Sequence, residues 1–352
     1  MADMERRGTT ATAPGATAVW SAVPTRRLRP PVPAGAAVHT AWRTRAAAHL
    51  TDLLAIPLGR DDGTITTPID HASDQPQLVT LATADGDIPC WLVLPPADRR
   101  LDAAVVAVAG HGGGIDDLVA ISPSAEDFHG GLAHKLAAVG FTVLCPEMIS
   151  FGRRRTPLTA TTSPTGAATT QNSCQIDGMR GLLTGRPVLG RRVADTLAAV
   201  RALRAPGVVA DLGIDPTTIS IVGGSGGGAV ALLAAAVDDT VSAAVVGAFL
   251  SSFDASFCAI PHCLCNAVPD LLTAFEMADI AALVAPRRLI VEAGRRDPIF
   301  PITATESTYA ELVEVWNGIG AHAPDLVITD AGHQFLADDA IALLRSHVTR
   351  TP

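Results

Sequence analysis

The sequence predicts an α/β fold in which one mainly parallel sheet is covered by helices on both faces and carries an antiparallel hairpin at its N-terminal edge. Three observations carry that expectation. From residue 101 onward, strand-length apolar runs alternate with stretches of helical periodicity, the pattern of βαβ crossovers. Before them, two short alternating runs flank Ala84-Asp85-Gly86-Asp87, whose Asp-Gly centre marks a hairpin. Third, the apolar run 219–222 ends in Gly223-Gly224-Ser225-Gly226-Gly227, and an Ala-rich helical pattern follows at once. A serine between glycines on a strand–turn–helix is the setting of a nucleophile elbow.

Taken in order, residues 1–38 read as a flexible or loosely packed arm, rich in Ala, Thr, Arg and proline (Pro24, Pro30, Pro31, Pro33). Residues 39–352 read as a single domain. The spacing of Trp42, Ala46, Leu50 and Leu53 predicts an amphipathic helix over 40–56, and the hairpin strands follow at 77–83 and 88–94. Next come a buried strand at 101–109, a helix at 127–139 and a strand at 141–145. A long helix is expected at 191–204, the elbow strand at 219–222 and the elbow helix at 228–237. Further strands are expected at 241–250, 288–293 and 326–329, with helices at 306–318 and 338–347. Two long segments, 150–190 and 251–284, break the repeat. They leave the sheet at the carboxyl ends of strands, where lids and pocket walls belong.

Of the 352 residues, 48% are hydrophobic and only 17% charged, enough apolar material for a large core and too little charge for a disordered chain. The net charge of −9 argues against a nucleic-acid partner, which selects clustered basic residues. Among the basic residues Lys135 is the only lysine. Apolar runs such as 103–109 and 241–250 are strand-sized, so no membrane span is expected. Residues 1–34 hold no apolar block of signal-peptide length, so the cytoplasm is the expected location and reduced thiols the expected state of the six cysteines.

A serine hydroxyl is a poor nucleophile until a base takes its proton, and that base needs an orienting acid. Ser225 is the candidate nucleophile. Asp297 stands just beyond the strand 288–293, and His333, in Gly332-His333-Gln334, just beyond the strand 326–329. Asp297 is the expected acid and His333 the expected base. Asp254 and Glu292 are rival acids; His262 and His322 are rival bases. An oxyanion needs two donors. The N–H of Gly226 supplies one, and the loop Ala109-Gly110-His111-Gly112-Gly113-Gly114 the other, with the N–H of His111 first and that of Gly112 next. The His111 ring itself reads as structural or pocket-lining. This glycine run lacks both the Gly-Lys-Ser/Thr ending of a phosphate loop and the spacing of a dinucleotide fingerprint. Cys258, Cys263 and Cys265 with His262 form a suggestive group. No second pair at zinc-site spacing accompanies it, so no metal is expected and the thiols read as lining a lid. Arg153-Arg154-Arg155 is either a solvated charge run or a face for an anionic substrate.

With these residues in view the chain resembles the α/β-hydrolase superfamily, in its acetyl-xylan esterase-like and dienelactone hydrolase-like branch. The resemblance spans about residues 40–350. It rests on residues 42–54, Ala109-Gly110-His111-Gly112-Gly113, Ser150-Phe151-Gly152-Arg153-Arg154, Gly185-Arg186-Pro187-Val188-Leu189-Gly190, the elbow, and Ala285-Pro286-Arg287-Arg288-Leu289 leading to Asp297. It implies an α/β-hydrolase fold and cleavage of a small carboxylic ester, with a short acyl group, through an acyl-enzyme and without a cofactor. Ala109 departs from the histidine many relatives carry, and Glu147 from their aspartate. Glu147, Phe151, Phe253, Cys258 and His262 are the expected pocket residues. The same triad could also cleave a C–C bond, lactone or amide, or promote elimination or cyclisation; a non-catalytic binding protein is a further alternative. A small-molecule ester is the expected partner, with no nucleic acid and no membrane, and self-association is left open.

Overall fold

The computed structural model describes residues 29–30, 35–57, 63–120, 128–157 and 172–350. Among the described residues nine strands form one sheet: β1 (Thr64–Ile65), β2 (Gln77–Ala82), β3 (Ile88–Val93), β4 (Ala104–Val108), β5 (Thr142–Pro146), β6 (Ser220–Gly224), β7 (Ala243–Gly247), β8 (Arg288–Gly294) and β9 (Asp325–Thr329). Their order is β1-β2-β3-β5-β4-β6-β7-β8-β9. The pairs β1–β2, β2–β3 and β3–β5 are antiparallel, and every pair from β5 through β4 to β9 is parallel. This is the parallel sheet with an antiparallel edge that the sequence predicts.

The helices are α1 (Ala36–Leu53), α2 (Asp116–Val119), α3 (Leu132–Ala138), α4 (Cys174–Leu183), α5 (Val188–Arg204), α6 (Pro206–Leu212), α7 (Gly226–Val237), α8 (Leu271–Ala274), α9 (Met277–Ala282), α10 (Ile302–Gly318) and α11 (Asp338–Arg350). Side chains of a strand alternate between faces, and the central strands divide accordingly. Ala104, Val106 and Val108 of β4 join a core with Leu50 of α1, Val193 of α5 and Val230 of α7. Val105 and Ala107 join a second core with Leu136 of α3 and Leu344 of α11. A strand buried on both faces needs an unbroken apolar run, which is why β4 reads Ala-Val-Val-Ala-Val.

The chain runs from β4 by way of α3 to β5 on one side, then returns across β4 to β6 on the other. The loops leaving β4 and β6 therefore part at a topological switch point, the usual place for a ligand in an open α/β sheet.

Several boundaries differ from the sequence reading. Helix α1 begins at Ala36 because His39 turns inward, its Nε2 lying 3.1 Å from the carbonyl oxygen of Ala282, so the buried face starts a turn earlier. Helix α3 starts only at Leu132, because Gly130 and Gly131 hold left-handed backbone (φ 51° and 69°) ahead of it. Residue 127, where that helix was expected to begin, lies outside the described residues. So does most of the 1–38 arm, and within it Arg29 is docked, ion-paired with buried Asp279 at 3.0 Å and with Glu311. The segment 150–190 contributes α4 and the start of α5, with 158–171 outside the described residues, and 251–284 folds into short turns of helix including α8 and α9.

Candidate active site

Ser225 joins β6 to α7 with φ 53° and ψ −120°, a strained conformation for a residue bearing a Cβ. The strain is imposed by close packing. A Cβ on Gly223 would lie 2.3 Å from the Gly227 carbonyl oxygen, and one on Gly227 would lie 2.2 Å from that of Val108. Only glycine at both positions lets helix, strand and neighbouring strand meet at this turn. The Ser225 N–H donates to the Gly247 carbonyl at 2.9 Å, locking the elbow to β7.

Beyond β8 the chain turns at Asp297, whose side chain is only 1% exposed. Its Oδ1 accepts the N–H groups of Ile299 (2.8 Å) and Phe300 (3.1 Å), and its Oδ2 lies 2.8 Å from Nδ1 of His333. On the other edge of the ring, Nε2 of His333 lies 2.9 Å from Oγ of Ser225. The three residues predicted from order and position thus form one hydrogen-bonded chain. Phe128 and Phe300 flank the imidazole, with ring centroids 5.2 and 5.8 Å away. The His333 loop is anchored from below by Glu292 of β8, whose buried carboxylate accepts the N–H groups of Leu336 (2.8 Å) and Ala337 (3.1 Å). Burial pushes the Glu292 carboxyl above its ordinary range.

The rival residues lie elsewhere or face other partners. Asp254 and His322 are exposed, the latter 2.7 Å from Arg288. Glu292 is occupied by the two backbone donors just named. His262 stacks on Phe257 (centroids 4.1 Å apart) and accepts the N–H of Cys263 at Nδ1. Burial lowers its pKa, and the nearby His111 and His333 lower it further.

The loop after β4 lies against the elbow. A Cβ on Gly226 would come within 2.7 Å of Nδ1 of His111, so the His111 ring packs on the first turn of α7. The N–H of Gly226 is the first of that helix and has no intrahelical acceptor. The loop is pinned on both sides of His111 and Gly112. Gly110 N–H donates to Nε2 of buried His129 at 3.1 Å, and Gly113 N–H to Asp117 at 2.6 Å.

Two of the five expected pocket residues are buried behind this loop. Glu147 is 0% exposed; its Oε1 accepts the Ile115 N–H and its Oε2 the Arg153 N–H, both at 3.2 Å. It ties the loop after β4 to the turn after β5, and burial raises its pKa to about 7. Phe151 is fully buried, edge-on to the His111 ring (5.4 Å) and beneath the Arg192 guanidinium (4.2 Å). Phe253 is buried beside Phe249 and Phe257, and the three line a small apolar cavity with Leu232 and Met277. Cys258 is exposed. Of the arginine run, Arg153 pairs with Asp116 (2.7 Å) over the Trp91 ring, and Arg154 pairs with buried Asp195 (2.6 Å). Both are structural ion pairs; Arg155 is exposed.

The cysteine group is composed differently from the sequence expectation. Cys258 and His262 are not part of it. His111, Cys174, Cys263 and Cys265 bring four ligand-capable atoms within 4.8 Å of one another. Nothing in local spacing signals this set, because Cys174 opens α4 and His111 sits two loops away. Sequence reasoning also missed Phe128, Phe257 and Phe300. The run Asp297-Pro298-Ile299-Phe300 was a usable signal, since a turn whose acid accepts from its own backbone carries the next aromatic over the base.

No family model and no curated protein matches the chain. Solved structures do. A protein from Bacteroides fragilis to which acetyl xylan esterase activity is ascribed superposes with a TM-score of 0.68 at 13% identity, covering 92% of this chain and 82% of its own. A glucuronoyl esterase from Caldicellulosiruptor kristjansonii gives 0.56 at 17% identity over 89% and 87%. An acetyl xylan esterase from Paenibacillus sp. R4 gives 0.51 at 18% identity over 92% and 96%. The strand order, the elbow at Ser225 and these structural neighbours together identify the architecture as the α/β-hydrolase fold.

Proposed function

We propose that the chain is a serine hydrolase that cleaves a small carboxylic ester through an acyl-enzyme. The observation that carries this reading is the continuous hydrogen-bonded path from Ser225 through His333 to buried Asp297. Nε2 of His333 takes the Ser225 hydroxyl proton as Oγ attacks the acyl carbon. Asp297 holds Nδ1–H and stabilises the imidazolium that forms, while Phe128 and Phe300 limit water around the ring. Oxyanion charge falls toward the N–H groups of Gly226 and His111, with that of Gly112 next in line. His333 then gives its proton to the departing alkoxide. A water, deprotonated by the same nitrogen, releases the acid and restores Ser225.

The cavity beside Phe249, Phe253 and Phe257 has a volume of about 20 Å³. That is room for roughly one water-sized group, and its lining includes none of Ser225, His333 and Asp297. The acetyl xylan and glucuronoyl esterases among the structural neighbours favour ester chemistry over the alternatives.

The test is a chain-length series of p-nitrophenyl esters, from acetate upward, with wild type and Ser225→Ala in parallel. Hydrolysis is expected to be fastest at the short end. It should fall on the order of 10⁴-fold or more in Ser225→Ala and in His333→Ala, with no further loss in the double variant. A folded wild type inert on every ester would overturn the reading and turn attention to C–C, lactone or elimination chemistry on the same triad.

A further inference from the structure

The His111, Cys174, Cys263 and Cys265 group is assembled from three separate parts of the fold. His111 comes from the loop after β4, Cys174 from the first residue of α4, and Cys263 and Cys265 from the turn before α8. Cys174 and Cys265 are buried and the other two half-buried. Nε2 of His111 is 3.0 Å from Sγ of Cys265, which is 3.2 Å from Sγ of Cys263. The two segments approach closely, across a glycine. A Cβ on Gly178 of α4 would stand 3.0 Å from the backbone nitrogen of Cys265.

Charge gives a second, independent indication. Arg192 is 1% exposed, and among the described residues no carboxylate pairs with it. Its guanidinium donates to the Ile149 carbonyl and, at 3.3 Å each, to Sγ of Cys265 and Sγ of Cys174. A buried cation requires a buried anion. Neutral thiols supply none. Three thiolates around a divalent cation carry a net charge of −1, which Arg192 balances to zero.

We propose that His111, Cys174, Cys263 and Cys265 form a tetrahedral site for a zinc ion. Three thiolates and one imidazole are a complete structural zinc set, and soft sulfur donors select zinc over calcium, magnesium or manganese. Binding converts the three thiols to thiolates and releases the displaced protons to solvent. With no open coordination position, the ion is structural. It joins α4 and the turn before α8 to the loop after β4. On the reading proposed above, it thereby holds the backbone of His111 in place as an oxyanion donor.

The experiment uses the full chain, produced in zinc-supplemented medium, purified under reducing conditions without chelator, and measured for metal content after gel filtration. About one zinc per chain is expected for wild type, for the Cys258→Ser control and for Ser225→Ala. Retention by inactive Ser225→Ala separates this proposal from the esterase reading. Cys263→Ser and Cys174→Ser should each lose the metal. Because loss of a structural ion can also unfold those variants, the wild type carries a direct arm as well. After removal of zinc by chelator and addition of Co²⁺, it should show the visible bands of tetrahedral cobalt and a near-ultraviolet thiolate-to-cobalt charge-transfer band. Zinc-free wild type that takes up no Co²⁺ while its thiols are reduced would overturn the proposal. So would a peptide map with Cys263 and Cys265 joined as a disulfide after zinc-replete isolation, which would make the pair a redox element instead.

Discussion

Replacing Glu147 with glutamine isolates one buried charge between the loop after β4 and the turn after β5. The carboxyl is wholly buried, and its pKa is raised from 4.5 to about 7, chiefly by desolvation. Its backbone bonds to Arg153 and Ile115 oppose that rise, while the charge of Asp116 adds to it. In the unfolded chain the same group loses its proton near its ordinary value. Between 4.5 and about 7 the folded protein therefore binds a proton that the unfolded protein does not. Stability from this group is fully present below the unfolded pKa and is lost as pH rises through the folded one. Each pH unit in that window corresponds to about 1.4 kcal/mol, so raising the pH from about 5 to 8 removes about 2–3 kcal/mol. Glutamine cannot titrate. It keeps one acceptor oxygen for two N–H donors, a pH-independent loss of about 1–3 kcal/mol that shifts the offset and not the slope. Urea unfolding of wild type and Glu147→Gln at both ends of the window measures the difference directly, because every other ionisable residue is common to both proteins. Wild type should lose ground to the variant by about 2–3 kcal/mol as pH rises. A difference constant to within about 0.5 kcal/mol would mean the carboxylate is ionised throughout, its two backbone donors outweighing burial.

Two further changes probe the site through different steps of its construction. Asp297→Asn keeps the backbone acceptor at Oδ1 but replaces the buried charge facing Nδ1 of His333. Esterase turnover should fall by about 10³–10⁴-fold with the fold intact, as far-ultraviolet circular dichroism would check; near-wild-type turnover would remove Asp297 from the triad. Gly227→Ala drives a methyl to 2.2 Å from the Val108 carbonyl, so the elbow must open or the chain must fail to fold. A soluble Gly227→Ala protein with unchanged melting temperature and turnover would refute the close-packing account of the strained serine.

How much of this was legible in the sequence depends on whether the information is local. The strand at 219–222, the elbow, and the acid and base after the next strands could be read because each sits at a strand's carboxyl end in chain order. The sheet then brings those ends together, whatever the loops between them contain. The alternation of β4 between two cores was equally visible, because a strand buried on both faces must be apolar throughout. Glu147 shows where this ends. Taken from the sequence it stood where a pocket carboxylate would, yet its orientation depends on Gly114 and Gly152 leaving space for it between two loops distant in sequence. The thiol group shows the same limit more sharply. Cys263 and Cys265 were visible as neighbours, but their partners Cys174 and His111 come from other elements, so spacing alone pointed to Cys258 and His262. Chemistry carried at successive strand ends of one sheet is readable in chain order, whereas chemistry assembled between long loops distant in sequence needs the fold. The proposed oxyanion loop depends on both: the strand β4 delivers it, and the Glu147 and Cys265 contacts hold it against the elbow.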